Sequence, residues 1–267
     1  MKIIAGPCQH ESYELSKEIA DECKKLCQAY EFDYVFKASF DKANRTNNTG
    51  HRGRHDTMWE RITSYIDDMG KLGDKFMKTT DIHEPWQAVE LAKAVEVLQI
   101  PAFLSRQTDL IKAACETGRI VSVKKMQSMA PWDVRGIITK CEKAKEVWIM
   151  ERGTSFGYNN LIVDFMGMQL LNQDYERVDQ FLQQGQKIRT HFFFDVTHSI
   201  MKPGSLRGPA RDYAHQMARA GAAIGVKNFF FEVHPDPDKS PSDRMNSVAL
   251  KDFGEILKSI HMIAKLT

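Results

Sequence analysis

Tyr34-Val35-Phe36-Lys37-Ala38-Ser39-Phe40-Asp41-Lys42-Ala43-Asn44-Arg45-Thr46 passes from an apolar, strand-like run into a turn that carries Lys37, Lys42 and Arg45. Read alone, the turn fits a solvated basic loop. It also fits an anion site, because cations crowded where a backbone leaves the core are costly unless something negative binds there. The rest of the chain decides between these readings. Short β-rich runs recur at 2–5, 34–37, 76–80, 97–100, 120–124, 147–150, 192–195 and 229–233. Amphipathic helical patterns occupy 11–30, 57–72, 86–94, 108–116, 132–143, 160–171, 211–224 and 250–266. Asp56 or Thr57 is placed to cap the second helix, and Thr108 or Asp109 the fourth. Eight strand–helix pairs in succession predict a parallel sheet closed into a (β/α)8 TIM barrel.

The 267 residues are 42% hydrophobic, enough for one large α/β domain, and no Pro/Gly/Ser-rich linker divides them. Residues 1–267 therefore read as a single catalytic barrel. The polar, Gln-rich segment 171–189 is longer than a usual connection and reads as an insertion. A net charge of +2 with mixed signs argues against a dedicated nucleic-acid or membrane-surface binder. Residues 1–7 are too short for a signal-peptide core, and no stretch approaches the roughly twenty apolar residues of a membrane helix. These features predict a cytoplasmic protein. Five cysteines without secreted-scaffold spacing fit reduced thiols. Cys23 and Cys27, four apart on a helix, and Cys115 and Cys141 read as buried thiols rather than as a metal clamp.

In a barrel of this kind, catalytic residues sit at the C-terminal ends of strands. Cys8 follows strand one, Lys37 and Lys42 strand two, Asp81-Ile82-His83-Glu84 strand three and Arg106 strand four. Lys124 and Lys125, Glu151-Arg152-Gly153, Asp195-Val196-Thr197-His198 and Glu232-Val233-His234 continue the series. The opposite strand ends carry no matching cluster, so a solvated surface does not account for the pattern.

Several blocks resemble a known family: Ala5-Gly6-Pro7-Cys8, Phe36 through Arg45, Gln99-Ile100-Pro101-Ala102-Phe103-Leu104, Arg106-Gln107-Thr108-Asp109-Leu110 and Glu151 through Asn160. Asp195-Val196-Thr197-His198-Ser199 and His234-Pro235-Asp236-Pro237-Asp238-Lys239 extend the match over nearly the whole chain. Together they resemble the 3-deoxy-D-manno-octulosonate 8-phosphate synthases, also called 2-dehydro-3-deoxyphosphooctonate aldolases. The related heptulosonate 7-phosphate synthases would carry Lys-Pro-Arg-Thr/Ser where this chain has Lys42-Ala43-Asn44-Arg45-Thr46. The resemblance implies condensation of phosphoenolpyruvate with arabinose 5-phosphate and water, releasing inorganic phosphate. It implies a homotetramer whose product feeds synthesis of the sugar linking lipid A to the lipopolysaccharide core. By the same resemblance, Lys37, Lys124 and Arg152 hold the phosphoenolpyruvate phosphate and carboxylate, and Lys42 lies between the substrates. Asn44, Arg45 and Thr46 take the sugar and its phosphate, with Arg106 reaching in from a neighbouring subunit. Ser39, Phe103, Asp81 and Gln99 line the pocket, the last two equally readable as supports behind it.

Members of this family with a Cys after strand one bind a divalent metal. Cys8, His198, Glu232 and Asp243 match that ligand set, and one thiolate, one imidazole and two carboxylates suit Zn²⁺, Fe²⁺, Mn²⁺ or Co²⁺. The ion would polarise the sugar aldehyde or activate the attacking water. In catalysis the resemblance places Lys42 together with Cys8, His198 and Asp243. The chain departs from the family pattern at Met126, which stands where a glycine is usual and either crowds the phosphoenolpyruvate site or packs beside it. It departs also at Ser105, in the loop 199–209 and in 47–53. Those last two leave open a different aldose phosphate as acceptor. A non-catalytic barrel is disfavoured, since a scaffold would need only the fold.

Overall fold

The computed structural model describes residues 1–45, 48, 50–158, 160–174, 188–201 and 210–267. Eight parallel strands form the barrel: β1 Lys2–Gly6, β2 Asp33–Lys37, β3 Met77–Asp81, β4 Val97–Ile100, β5 Ile120–Lys124, β6 Val147–Glu151, β7 Thr190–Asp195 and β8 Asn228–His234. Each pairs with its sequence neighbour, and β1 pairs with β8, with Ile4 opposite Phe230 and Gly6 opposite Glu232, which closes the ring. The TIM-barrel expectation holds.

Alternation along the strands builds two apolar layers. Ile4, Val35, Val97, Ile120, Trp148, Met150, Phe193 and Phe230 form one cluster in the barrel interior. Ile3, Phe36, Val121, Ile149, Phe194 and Phe229 belong to the larger cluster that packs strands against helices. The fully buried Trp148 indole donates to Glu146 Oε2 at 3.0 Å, so its polar edge costs little.

The helices begin where the chain supplies caps. Ser12 Oγ accepts from Leu15 N at 3.1 Å ahead of α1, Tyr13–Gln28. Thr57 and Glu60 form a reciprocal capping box ahead of α2, Met58–Leu72. The fourth helix, Thr108–Glu116, differs from expectation: Gln107 is its N-cap and supplies no side-chain bond. The helix predicted over 132–143 is a 3₁₀ turn, Pro131–Val134, followed by only Arg135–Ile138. Gly136 and the β-branched Ile137, Ile138 and Thr139 give that segment weak helical propensity. The helix predicted over 160–171 starts instead at Phe165, because Leu161–Ile162 pairs antiparallel with Thr154–Ser155. That helix runs to Asp174, and the remainder of the expected insertion through 187 lies outside the described residues.

Gly6, the last residue of β1, is fixed by contact. A Cβ built there would lie 2.0 Å from the Lys37 carbonyl oxygen of β2, which is backbone and has nowhere to go. Gly70, in the exposed interior of α2, has nothing within 4 Å of the same construction. Gly6→Ala should therefore destabilise the barrel by about 1–3 kcal/mol, whereas Gly70→Ala should stabilise it by about 0.4–1 kcal/mol. Urea unfolding of both variants checks this, and equal effects of the same sign would contradict it.

Candidate active site

The C-terminal ends of β1 and β2 meet above Gly6. Gln9 bridges to Ser39 in parallel fashion, and Ser39 N donates to the Cys8 carbonyl at 3.3 Å. Lys37, 2% exposed, donates to that same carbonyl at 3.2 Å and to Ser39 Oγ at 2.8 Å. Lys42 Nζ donates to the other side of Ser39 Oγ at 3.0 Å. One buried hydroxyl thus spaces two lysines. Lys42 is further anchored through its backbone, which donates to the Arg52 carbonyl at 2.7 Å, while the Arg52 guanidinium grips the buried Asp41 at 2.9 and 2.6 Å.

Carboxylates answer these cations. Lys37 lies 3.7 Å from Glu232 Oε1, and Lys124, at the end of β5, donates to Asp195 Oδ2 at 2.6 Å. Lys124 also sits 3.8 Å from the centre of the Phe230 ring. Burial disfavours the charge on Lys42, but its acidic neighbours, Glu232, Asp81 and Asp243 among them, outweigh it and hold its pKa above the ordinary lysine value. Lys124 goes the other way: burial, helped by Lys37, lowers its pKa against the pull of Asp195. Burial acts against Asp81 too, yet Lys37, the His83 hydrogen bond and Lys42 keep its pKa well below the carboxylate range. Arg152, 5% exposed, donates to the His198 carbonyl at 3.5 Å and to Met201 Sδ at 3.9 Å. Among the described residues, neither Arg152 nor Lys42 has a carboxylate within ion-pair distance.

Cys8, Glu232 and Asp243 converge. One ligand atom of each lies within 4.8 Å of the others. The Cys8 thiol donates to Asp243 Oδ2 at 3.0 Å, and burial together with the Glu232 and Asp243 charges pushes its pKa well above that of an ordinary thiol. Asp243 adopts a left-handed backbone (φ 47°), a conformation Asp tolerates, and its carbonyl ties the turn by accepting from Asn246 and Ser247. Both Glu232 carboxylate oxygens are buried without a hydrogen-bond partner among the described residues, a costly condition that a cation would relieve. His198 stands beside this trio rather than within it. Its Nε2 is 3.6 Å from Glu232 Oε1, while Asp195 holds its Nδ1 at 3.0 Å.

These groups share one cavity of about 510 Å³. From the β2 end it is lined by Lys37, Lys42, Asn44 and Arg45; from β3 and β4 by Asp81, Gln99 and Phe103. The opposite wall carries Lys124, Arg152, His198, Glu232 and Asp243. Cys8 and Ser39 lie just beneath it, 1% and 0% exposed. Asp81 and Gln99 face the cavity directly, with Asp81 Oδ1 and Gln99 Oε1 unpartnered. Arg106 is exposed and does not line its own chain's cavity. Thr46, and 202–209 of the loop after β7, lie outside the described residues. Met126 packs against the core and leaves the wall to Gln127.

Sequence reasoning missed several contributors. Gln127, just past β5, lines the cavity together with Ser155 and Asn160 of the small antiparallel hairpin, whose two-residue strands have no readable period. Asp195 was visible at the end of β7, but its double role on Lys124 and His198 needs two contacts that no spacing encodes. Gln9 and Ser242 were hidden for the same reason.

A parallel barrel whose eight strand ends converge on a cation-rich cavity defines a barrel enzyme for anionic substrates. The chain belongs to the DAHP synthetase I family, matched over residues 1–266. It is 43% identical to the 2-dehydro-3-deoxyphosphooctonate aldolase of Fusobacterium nucleatum over 99% of this chain and 90% of that one. The aldolases of the same name from Bradyrhizobium diazoefficiens and Rickettsia bellii are 39% and 38% identical, over 97% and 99% of this chain and 88% and 92% of theirs.

Removing the Asp195 charge should expose its importance. Asp195→Asn leaves Lys124 buried without its partner and is expected to cost about 3 kcal/mol in urea unfolding. A change below about 0.5 kcal/mol would show that the pair does not hold this part of the barrel.

Proposed function

We propose that the chain condenses phosphoenolpyruvate with arabinose 5-phosphate and water to give 3-deoxy-D-manno-octulosonate 8-phosphate and inorganic phosphate. The observation that carries this reading is the cavity itself, where Lys42 and Arg152 have no carboxylate partner among the described residues, beside the paired Lys37 and Lys124. Relatives of 38–43% identity over almost the whole chain, named for the octonate product, support the eight-carbon branch. In this reading Lys37, Lys124 and Arg152 bind phosphoenolpyruvate, while Asn44, Arg45 and Thr46 take the sugar phosphate. Lys42, held cationic by its acidic neighbours, serves as hydrogen-bond donor to the aldehyde oxygen as the enol carbon bonds to the aldehyde carbon. Water then adds to the second carbon of phosphoenolpyruvate, and phosphate leaves from that carbon to release the ketone.

Cys8, Glu232 and Asp243, with His198 at their side, would hold a divalent ion such as Zn²⁺, Fe²⁺, Mn²⁺ or Co²⁺. The unpartnered Glu232 oxygens and the mixed sulfur and oxygen donors fit such an ion. Bound there, the ion would supply Lewis-acid polarisation of a coordinated oxygen. Asp195, gripping His198 Nδ1, orients the imidazole so that Nε2 faces the trio.

The reading takes residues 1–267 as one catalytic barrel with an insertion around 171–189. A homotetramer suits Arg106, which lies on the exposed segment after β4 and is free to serve a neighbouring subunit's cavity. No described helix is long and apolar enough to cross a membrane, and all five cysteines are free thiols, which supports a cytoplasmic setting.

Assays with phosphoenolpyruvate and arabinose 5-phosphate, erythrose 4-phosphate or ribose 5-phosphate, followed by phosphate release, test the acceptor. Arabinose 5-phosphate should be preferred by at least about tenfold in kcat/KM; preference for another aldose phosphate would replace it as substrate. For the ion, Cys8→Ala or verified metal removal should abolish turnover. Because the apo thiol is protonated, metal uptake should release a proton, and apparent affinity should rise by about tenfold per pH unit between pH 6 and 8. Full activity without metal, or uptake independent of pH, would overturn the assignment of Cys8.

A further inference from the structure

We infer that Gln9 is a positioning residue that sets the Arg45 guanidinium for the acceptor's phosphate. The inference rests on the assignment of Arg45 to that phosphate. Gln9 is fully buried, one residue beyond Cys8. Its Oε1 accepts from Arg45 Nη2 at 3.0 Å, and its Nε2 lies 3.0 Å from His51 Nδ1. Arginine can only donate, so the Gln9 carbonyl must face Arg45 and its NH₂ must face His51. His51 Nδ1 is then the acceptor, and the neutral ring carries its proton on Nε2.

Arg45 is held on two further sides. Its Nε donates to the His51 carbonyl at 2.7 Å and its Nη1 to Ser242 Oγ at 2.9 Å. Of the five guanidinium N–H groups, three are thereby engaged. Among the described residues, one N–H on each terminal nitrogen has no partner, the pair that can grip a phosphate through two oxygens. Arg45 lines the cavity, so these donors are available to a ligand there. The two side chains that orient the fork are each next in sequence to a member of the Cys8–Glu232–Asp243 trio: Gln9 follows Cys8, and Ser242 precedes Asp243 and donates to its Oδ2 at 3.1 Å.

Gln9→Met keeps the side-chain volume and removes both polar contacts. It should raise KM for arabinose 5-phosphate about tenfold while leaving KM for phosphoenolpyruvate, kcat and bound metal per chain within about twofold. In an Arg45→Ala background the same substitution should add less than about twofold, because its effect runs through Arg45. His51→Ala, at an exposed position that threatens folding less, should raise KM for arabinose 5-phosphate in the same direction and be non-additive with Gln9→Met. Additive effects in either cycle, an equal loss for both substrates, or loss of metal in Gln9→Met would overturn the inference, as would an unchanged KM in His51→Ala if Gln9→Met does not fold. Should Arg45→Ala itself leave KM for arabinose 5-phosphate unchanged, the assignment of Arg45 fails first and the inference with it.

Discussion

The contact between β1 and its two neighbours at Gly6 is the constraint on which the site depends. Gly6 is opposite Glu232 in the β1–β8 register and presses against the Lys37 carbonyl on β2. With no side chain between them, three strand ends come close enough for Lys37 to reach both the Cys8 carbonyl and Glu232. A larger residue there would push apart the buried Lys37 and the carboxylate that completes the thiol cluster. The barrel's closure and its chemistry meet in one residue.

Burying this many charges is unfavourable, and the structure answers the cost locally. Lys124 is held by Asp195, Lys37 by Ser39 and Glu232, and Asp81 by His83. Such pairs do not repay their full desolvation in stability, so their presence argues for function rather than rigidity. Among the described residues, the Arg152 guanidinium has no carboxylate in reach and the Glu232 oxygens accept no hydrogen bond, so the two have opposite charge and opposite needs. One calls for an anion and the other for a cation. A site that handles a phosphorylated anion beside a metal would have that polarity, and a basic turn on a solvated surface would not.

The barrel was legible because its signal is repetitive. Seven of the eight strands differ from the predicted runs by one residue or less at either end, since fully buried parallel strands are continuous apolar runs with charge beginning where they stop. The residues facing the cavity were legible for the same reason, as Lys37, Lys124, Arg152 and Glu232 all stand at or just beyond such a stop. What escaped was set by pairing across distance. Gln9 and Arg45 are 36 positions apart, Arg45 and Ser242 197, and Lys124 and Asp195 71. A glutamine at position 9 looks like any polar residue until the fold shows what its amide faces. The helix that shrank to Arg135–Ile138 and the hairpin at 154–162 failed for a local reason, weak propensity and strands too short to carry a period.

The three parts of the cavity are mechanically connected. Asp195 holds both Lys124, at the end of β5, and His198, beside the thiol cluster. Ser242 touches both Arg45, on the cavity wall after β2, and Asp243 of that cluster. Ser39 joins Lys37 to Lys42. Each link is a single small side chain shared by two functional groups, so displacement of one group is felt by the next without any movement of the barrel. Substitutions at the linking residues should therefore combine non-additively with those at the groups they join, whereas substitutions at unlinked wall positions such as Phe103 and Gln127 should combine additively. On this architecture the strands supply the address of each charged group, and the shared hydroxyls and carboxylates supply its aim.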